Sequence, residues 1–261
     1  MLSTVHVAAS AAAGHVLATT GSGPSPLWYA GRATGVVALI LLTLTVALGV
    51  AGSTRLSTPA LPGLVRSGLH RNTSLLSVAF VATHVITMVV DPYASISITS
   101  AIVPFSSHYR PFWLSLGTIS FDMLLALVLT SMVRTRLTYR TWRAVHFLAY
   151  ASWPIALWHG LGTGSDSKLS WLLVLDAVCV LVVAAAALWR LQLLPRGRTR
   201  AIGRAATAAI AAATVVFAAV GPLQSGWARR AGTPGSMLGS AHASAQHLTR
   251  SHASTTSGGA G

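Results

Sequence analysis

Six stretches of this chain are each apolar enough and long enough to cross a lipid bilayer, which takes about 20 residues. They fall near 28–50, 68–90, 111–133, 139–160, 168–190 and 203–223, the last Ala-rich and the weakest. A chain patterned in this way is expected to be all-α, a polytopic bundle of about six transmembrane helices. Composition agrees. Hydrophobic residues make up 53% of the chain and charged residues 8%, against about 25% charged in an ordinary soluble domain. The mean hydropathy is +0.64. These values exclude a soluble enzyme, a disordered protein and a conventional nucleic-acid binder. The net charge of +14 comes from 17 Arg and one Lys against four Asp, with no Glu. In so apolar a chain, arginine sits at cytoplasmic membrane edges, so the expected surroundings are membrane lipid and not nucleic acid. Cys179 is the only cysteine, which excludes an internal disulfide and a thiolate metal cluster.

The loops set an orientation. Arg55 and Arg66 follow the first span, Arg134, Arg136 and Arg140 the third, and Arg196, Arg198 and Arg200 the fifth. The other connections carry Asp91 with Arg110, and Asp166 with Lys168. The positive-inside rule puts the arginine loops in the cytoplasm and both termini outside, with Arg229 and Arg230 as a mild counter-signal. The expected organisation is an uncharged extracytoplasmic segment over 1–27 with no signal-peptide n-region, and a membrane domain over 28–190. A basic cytoplasmic loop over 191–202, a sixth span over 203–225 and a disordered low-complexity tail over 226–261 follow.

Four of the ten histidines fall in two spans: His70 and His84 in the second, His146 and His159 in the fourth. Each costs free energy in hydrocarbon, and no carboxylate on the same two spans pairs with them. Spacings of 14 and 13 residues separate the members of each span by about 20 Å. One span intervenes, so the two run parallel, and His70 stands level with His146 and His84 with His159. Two opposed imidazoles at one depth suit a flat metal macrocycle, and two levels within a core about 30 Å thick make a stack of two haems. Fourteen residues fall only about 40° short of four helical turns, so His70 and His84 share a face. Thirteen fall about 140° short, and a kink at Pro154 is expected to realign His146 with His159. Zinc is the competing reading, although it takes three or four ligands around one point. Hydrogen-bonded packing histidines are the plain alternative.

This H-x13-H and H-x12-H pattern resembles the ferric reductase-like transmembrane domain, a family that includes NADPH oxidases, ferric reductases and the haem-binding membrane subunit of the bacterial methionine-sulfoxide reductase system. The segments LHRNTSLLSVAFVATHV (69–85), PFSSHYRPFWLSLG (104–117) and WRAVHFLAYASWPIALWHGLGTG (142–164) are similar to small bacterial members. The resemblance implies two haems b, an inner one ligated by His70 and His146 and an outer one by His84 and His159. Larger family members continue into a flavin and nicotinamide domain. Here only 71 residues follow Arg190, and no Gly-rich dinucleotide fingerprint follows a strand. The expected donor is therefore a separate cytoplasmic flavin reductase or quinol, and the expected acceptor an extracytoplasmic redox protein or ferric complex. A quinol-linked cytochrome b subunit and a non-haem membrane carrier or scaffold are the alternatives.

Other residues have weaker expectations. Arg71, Arg140 and Arg143 lie near the depth of the inner haem and suit its propionates, or serve as positive-inside anchors. Of the two intramembrane carboxylates, Asp122 lies deeper in its span than Asp176 and is the better functional candidate. His108, Tyr109 and Arg110 form an outer surface loop that could guide an acceptor. Trp113, Trp142, Trp158 and Trp171 read as an interfacial belt, and Gly160, Gly162 and Gly164 as a tight turn. His242, His247 and His252 suit at most weak, adventitious metal binding.

Overall fold

The computed structural model describes residues 24–53, 63–93, 96–107, 109–163, 169–224 and 226–227. The expectations for the N-terminal segment before residue 24 and for the tail from 228 onward lie outside the described residues, as do those for Arg55, His108, Gly164, Asp166 and Lys168. The described residues form α1 (Pro26–Ser53), α2 (Gly63–Val90), α3 (Ile98–Ile102), α4 (Pro111–Met132), α5 (Tyr139–His146), α6 (Leu148–Thr163), α7 (Ser170–Gln192) and α8 (Arg198–Val220). A 3-10 turn spans Arg134–Arg136, and no strand occurs among them.

Local chemistry sets the helix ends. Ser25 caps α1 by accepting the Trp28 N–H at 3.0 Å, and Pro26 occupies the first helical position, where a missing N–H costs nothing. Thr138 caps α5 in the same way through the Thr141 N–H at 3.2 Å. α2 stops before Asp91-Pro92, and α8 starts after Pro195 and Gly197. Within the spans, hydroxyls fold back onto carbonyls one turn earlier: Thr43 to Leu39 at 2.8 Å, Ser77 to Thr73 at 2.8 Å and Thr214 to Ile210 at 2.8 Å. Each polar side chain thereby satisfies itself without water.

α1, α2, α4, α7 and α8 are long and apolar enough to cross a membrane. The stretch expected as a single fourth span departs from this. It divides at Phe147 into α5 and α6, and α6 reaches only about 24 Å. Its two halves are chemically unlike. α5 carries Arg140 and Arg143 on a strongly amphipathic turn, whereas α6 is apolar. At the junction the backbone tightens, with the Tyr150 N–H bonding the Phe147 carbonyl at 3.1 Å. Pro154 is buried inside α6, and the interruption at Phe147 also lies between His146 and His159.

α1 is the central helix and packs on α2, α6 and α7, while α4 packs on α6 and α7 on α8. The core where α1, α6 and α7 meet holds Leu42, Trp153, Leu157, Leu161 and Cys179. Trp153 Nε1 donates to Thr43 Oγ1 at 2.9 Å across it. α1–α2 and α4–α6 are thus two tightly packed helix pairs. The backbones of α2 and α6 make little direct contact, which leaves a gap that only long side chains reach across.

Candidate cofactor-binding site

His70 and His84 from α2 meet His146 at the end of α5 and His159 on α6 across this side of the bundle. The His70 and His146 rings stand 6.4 Å apart, centre to centre, at 71°. The His84 and His159 rings stand 6.3 Å apart at 75°. An imidazole bonds a metal at about 2 Å through a nitrogen about 1 Å from its ring centre, so two imidazoles on opposite sides of one metal stand about 6 Å apart.

Three of the rings are fixed by one recurring device. His84 Nδ1 donates to the Gly31 carbonyl at 2.7 Å, His70 Nδ1 to the Thr45 carbonyl at 3.1 Å and His159 Nδ1 to the Trp113 carbonyl at 2.9 Å. Four residues after each accepting carbonyl stands a glycine: Gly35, Gly49 and Gly117. A Cβ built on Gly117 would lie 2.6 Å from the His159 ring, one on Gly35 3.0 Å from His84 and one on Gly49 3.2 Å from His70. The glycine gives the ring room to lie against the neighbouring helix, and the carbonyl one turn earlier anchors it. On α1 the two glycines are fourteen residues apart, as are the two histidines on α2, in the opposite order that antiparallel neighbours require. With the proton held on Nδ1, Nε2 keeps its lone pair, and among the described residues it has no hydrogen-bond partner in any of the three.

The surroundings fit a flat apolar group. A cavity of about 220 Å³ borders His84 and His159, walled largely by apolar side chains such as Leu39, Val81, Val85 and Leu124. Among the described residues, no three His, Cys, Asp or Glu side chains converge on one point, as a zinc site would require. Paired nitrogens facing across an apolar gap match the donor set of a bis-histidine haem.

Residues 34–157 match the family model of the ferric reductase like transmembrane component. Over those residues the chain is similar to the ferric reductase-like transmembrane family. No match was found among curated proteins or among solved structures. The matched region includes His70, His84 and His146 and stops two residues before His159. His159 takes its place in the set through its ring contact with His84.

The structure also relocates residues around the histidines. Arg71, Arg140 and Arg143 are all exposed, and the Arg143 guanidinium lies 5.5 Å from the centre of the Phe147 ring. Asp122 and Asp176 are both partly buried, and Asp176 is the one that lines the cavity beside His84 and His159. The loop before α4 is not a surface loop. Tyr109 and Arg110 are 9% and 5% exposed. Arg110 donates to the Gly162 carbonyl at 2.7 Å and takes a left-handed backbone at φ 43°. Burial pushes the Tyr109 phenol above the ordinary tyrosine range, and the Arg110 charge opposes that shift.

Three of the four tryptophans read as a lipid belt are instead engaged with protein. Trp113 stacks on Phe217 at 4.5 Å and fills the space over Gly162. Trp158 donates to Thr214 at 2.9 Å, and Trp142 stacks on His146 at 4.8 Å. Trp171 alone of the four is exposed, at 58%. Gly160 and Gly162 lie within α6 and not in a turn; Gly162 is where Trp113 needs a missing Cβ. The glycines and carbonyls that hold the histidines escape a search for chemistry-bearing residues. Their signal is present in the sequence as a second 14-residue interval, on the span beside the first histidine pair.

Proposed function

We propose that this chain carries single electrons across the cell membrane through two b-type haems, one held by His70 and His146 and the other by His84 and His159. The observation that carries the reading is the pair of ring separations, 6.4 and 6.3 Å, at two levels about 20 Å apart along α2. Haem b supplies a one-electron iron couple, and two histidine ligands leave no open iron position, which favours electron transfer over oxygen binding. The chain's own contribution is positional. Gly31, Thr45 and Trp113 hold the Nδ1 protons by their carbonyls, and Gly35, Gly49 and Gly117 admit the rings. The largely apolar wall beside His84 and His159 offers a surface for a flat apolar group.

In this reading the arginine-rich end, with Arg71, Arg140 and Arg143 available to neutralise propionates, faces the cytoplasm. A separate flavin reductase or quinol delivers electrons there. The opposite end delivers them to an extracytoplasmic redox protein or a ferric complex.

The test is a reduced-minus-oxidised visible spectrum of the purified protein in detergent, with haem quantified per chain, beside His70→Ala and His84→Ala. Two low-spin b-type signals are expected, one lost in each variant. A well-folded preparation from haem-replete cells that holds no haem would overturn the proposal and favour a carrier or scaffold.

A further inference from the structure

His146 lacks the device that holds the other three rings. Thirteen residues separate it from His159, and the residue thirteen beyond Gly117 on the antiparallel α4 is Thr130. Thr130 has a Cβ where the pattern has none. Its hydroxyl already takes the Ala126 carbonyl at 2.7 Å, the acceptor one turn earlier, and approaches Leu127 O at 3.2 Å. His146 Nδ1 is buried without a hydrogen-bond partner. His146 also ends the eight-residue α5, just before the break at Phe147, so α6 does not carry it rigidly.

Trp142 touches it instead. The two side chains are four residues apart on α5, the spacing that brings side chains together on a helix. Their rings stack at 4.8 Å and 23°. The indole is itself backed by the Arg134 guanidinium, 4.7 Å from its centre, and by the Tyr139 ring at 6.1 Å. Its Nε1 is buried and unpartnered, so stacking and not hydrogen bonding fixes its place.

We propose that Trp142 is the positioning residue for His146, doing by ring stacking what a glycine and a carbonyl do for His70, His84 and His159. This inference rests on the two-haem reading. Stacking fixes the plane of the imidazole but supplies no acceptor to choose which nitrogen carries the proton. His146 is therefore the least constrained of the four ligands, and the iron between His70 and His146 is the one whose coordination depends on an aromatic side chain.

The experiment uses the full chain in detergent and compares wild type with Trp142→Phe, Trp142→Leu and Trp142→Ala. Readouts are electron paramagnetic resonance of the oxidised protein, carbon monoxide binding by the reduced protein, and haem per chain. Trp142→Phe keeps both low-spin signals because a ring still stacks. In Trp142→Ala and Trp142→Leu, the signal that is absent from His70→Ala turns high-spin and binds carbon monoxide, while the other signal is unchanged. Leu keeps most of the side-chain volume, so it reads the loss of the ring if the Ala variant does not accumulate. Two unperturbed low-spin signals in the Leu variant would overturn the inference and leave the two-haem reading standing. Equal change in both signals would overturn it too, since that is general damage. A wild type without haem would overturn the reading beneath it.

Discussion

The two histidine levels are built from the same residue types but held differently. At the His84/His159 level, both rings lie over glycines, both Nδ1 atoms have carbonyl partners, and a largely apolar cavity borders both rings. Arg110 bonds the end of α6 through the Gly162 carbonyl, and the buried Asp91 accepts from Ser25 at the start of α1. At the His70/His146 level only His70 has that support. His146 rides on a short amphipathic helix among exposed arginines. Close helix packing through small residues fixes side chains in a membrane bundle, and that mechanism works only where long helices run side by side. Beyond the break at Phe147 no such pair is available, and aromatic stacking takes over.

Glycine substitutions test whether the cradle, and not the histidine alone, holds the group. Gly117→Ala has the largest expected effect, because its methyl would meet the His159 ring at 2.6 Å, too close to absorb without moving ligand or helix. Haem per chain should fall from two toward one, with the His84/His159 signal lost. Gly35→Ala, at 3.0 Å from His84, should weaken the same signal in part. Gly49→Ala, at 3.2 Å from His70, should broaden the other signal without loss of haem. An equal effect of all three would mean that the glycines act on the bundle and not on individual rings.

The sequence carried the membrane bundle, the histidines and their levels, because apolar length and residue spacing along a helix are one-dimensional quantities. It misplaced what depends on neighbours. Trp113 and Trp158 look like interfacial residues until the facing helices supply Phe217 and Thr214. Tyr109 and Arg110 read as loop surface because nothing local shows that Trp28 and Ile96 pack on the first and the end of α6 meets the second. A single span over 139–160 crosses a change in character, since Arg140 and Arg143 make α5 amphipathic while the residues after Phe147 are apolar. That change is visible in the residues, but average hydropathy conceals it. The interruption at Phe147 has no comparable signal among the residues, because proline is the only local signal for a bend.

A smaller effect is expected at Thr43, which stands in the core that both levels share. Thr43→Val removes the acceptor of the Trp153 Nε1 bond at 2.9 Å. Hydrogen bonds between membrane helices are worth about 0.6 kcal/mol on average and about 1.7 kcal/mol at most. Unfolding in detergent should show a loss in that range, with both haem signals intact. Selective loss of one signal would mean that this bond supports a single level, and that the levels share less framework than α1 suggests.

The smallest effect is expected at Thr130, and it bears most directly on the difference between the levels. If Thr130 were a degenerate form of the cradle that still held His146, Thr130→Gly would complete the pattern by clearing the Cβ and freeing the Ala126 carbonyl. The His70/His146 signal would then sharpen. With His146 carried by α5 and held by Trp142, the same substitution should leave both haem signals unchanged and cost only helix stability, about 0.3 kcal/mol for glycine in place of threonine in a helix interior. Paramagnetic resonance linewidths compared with the unfolding midpoint separate the two outcomes. A sharpened signal would return His146 to the α4 register and make the two levels variants of one design.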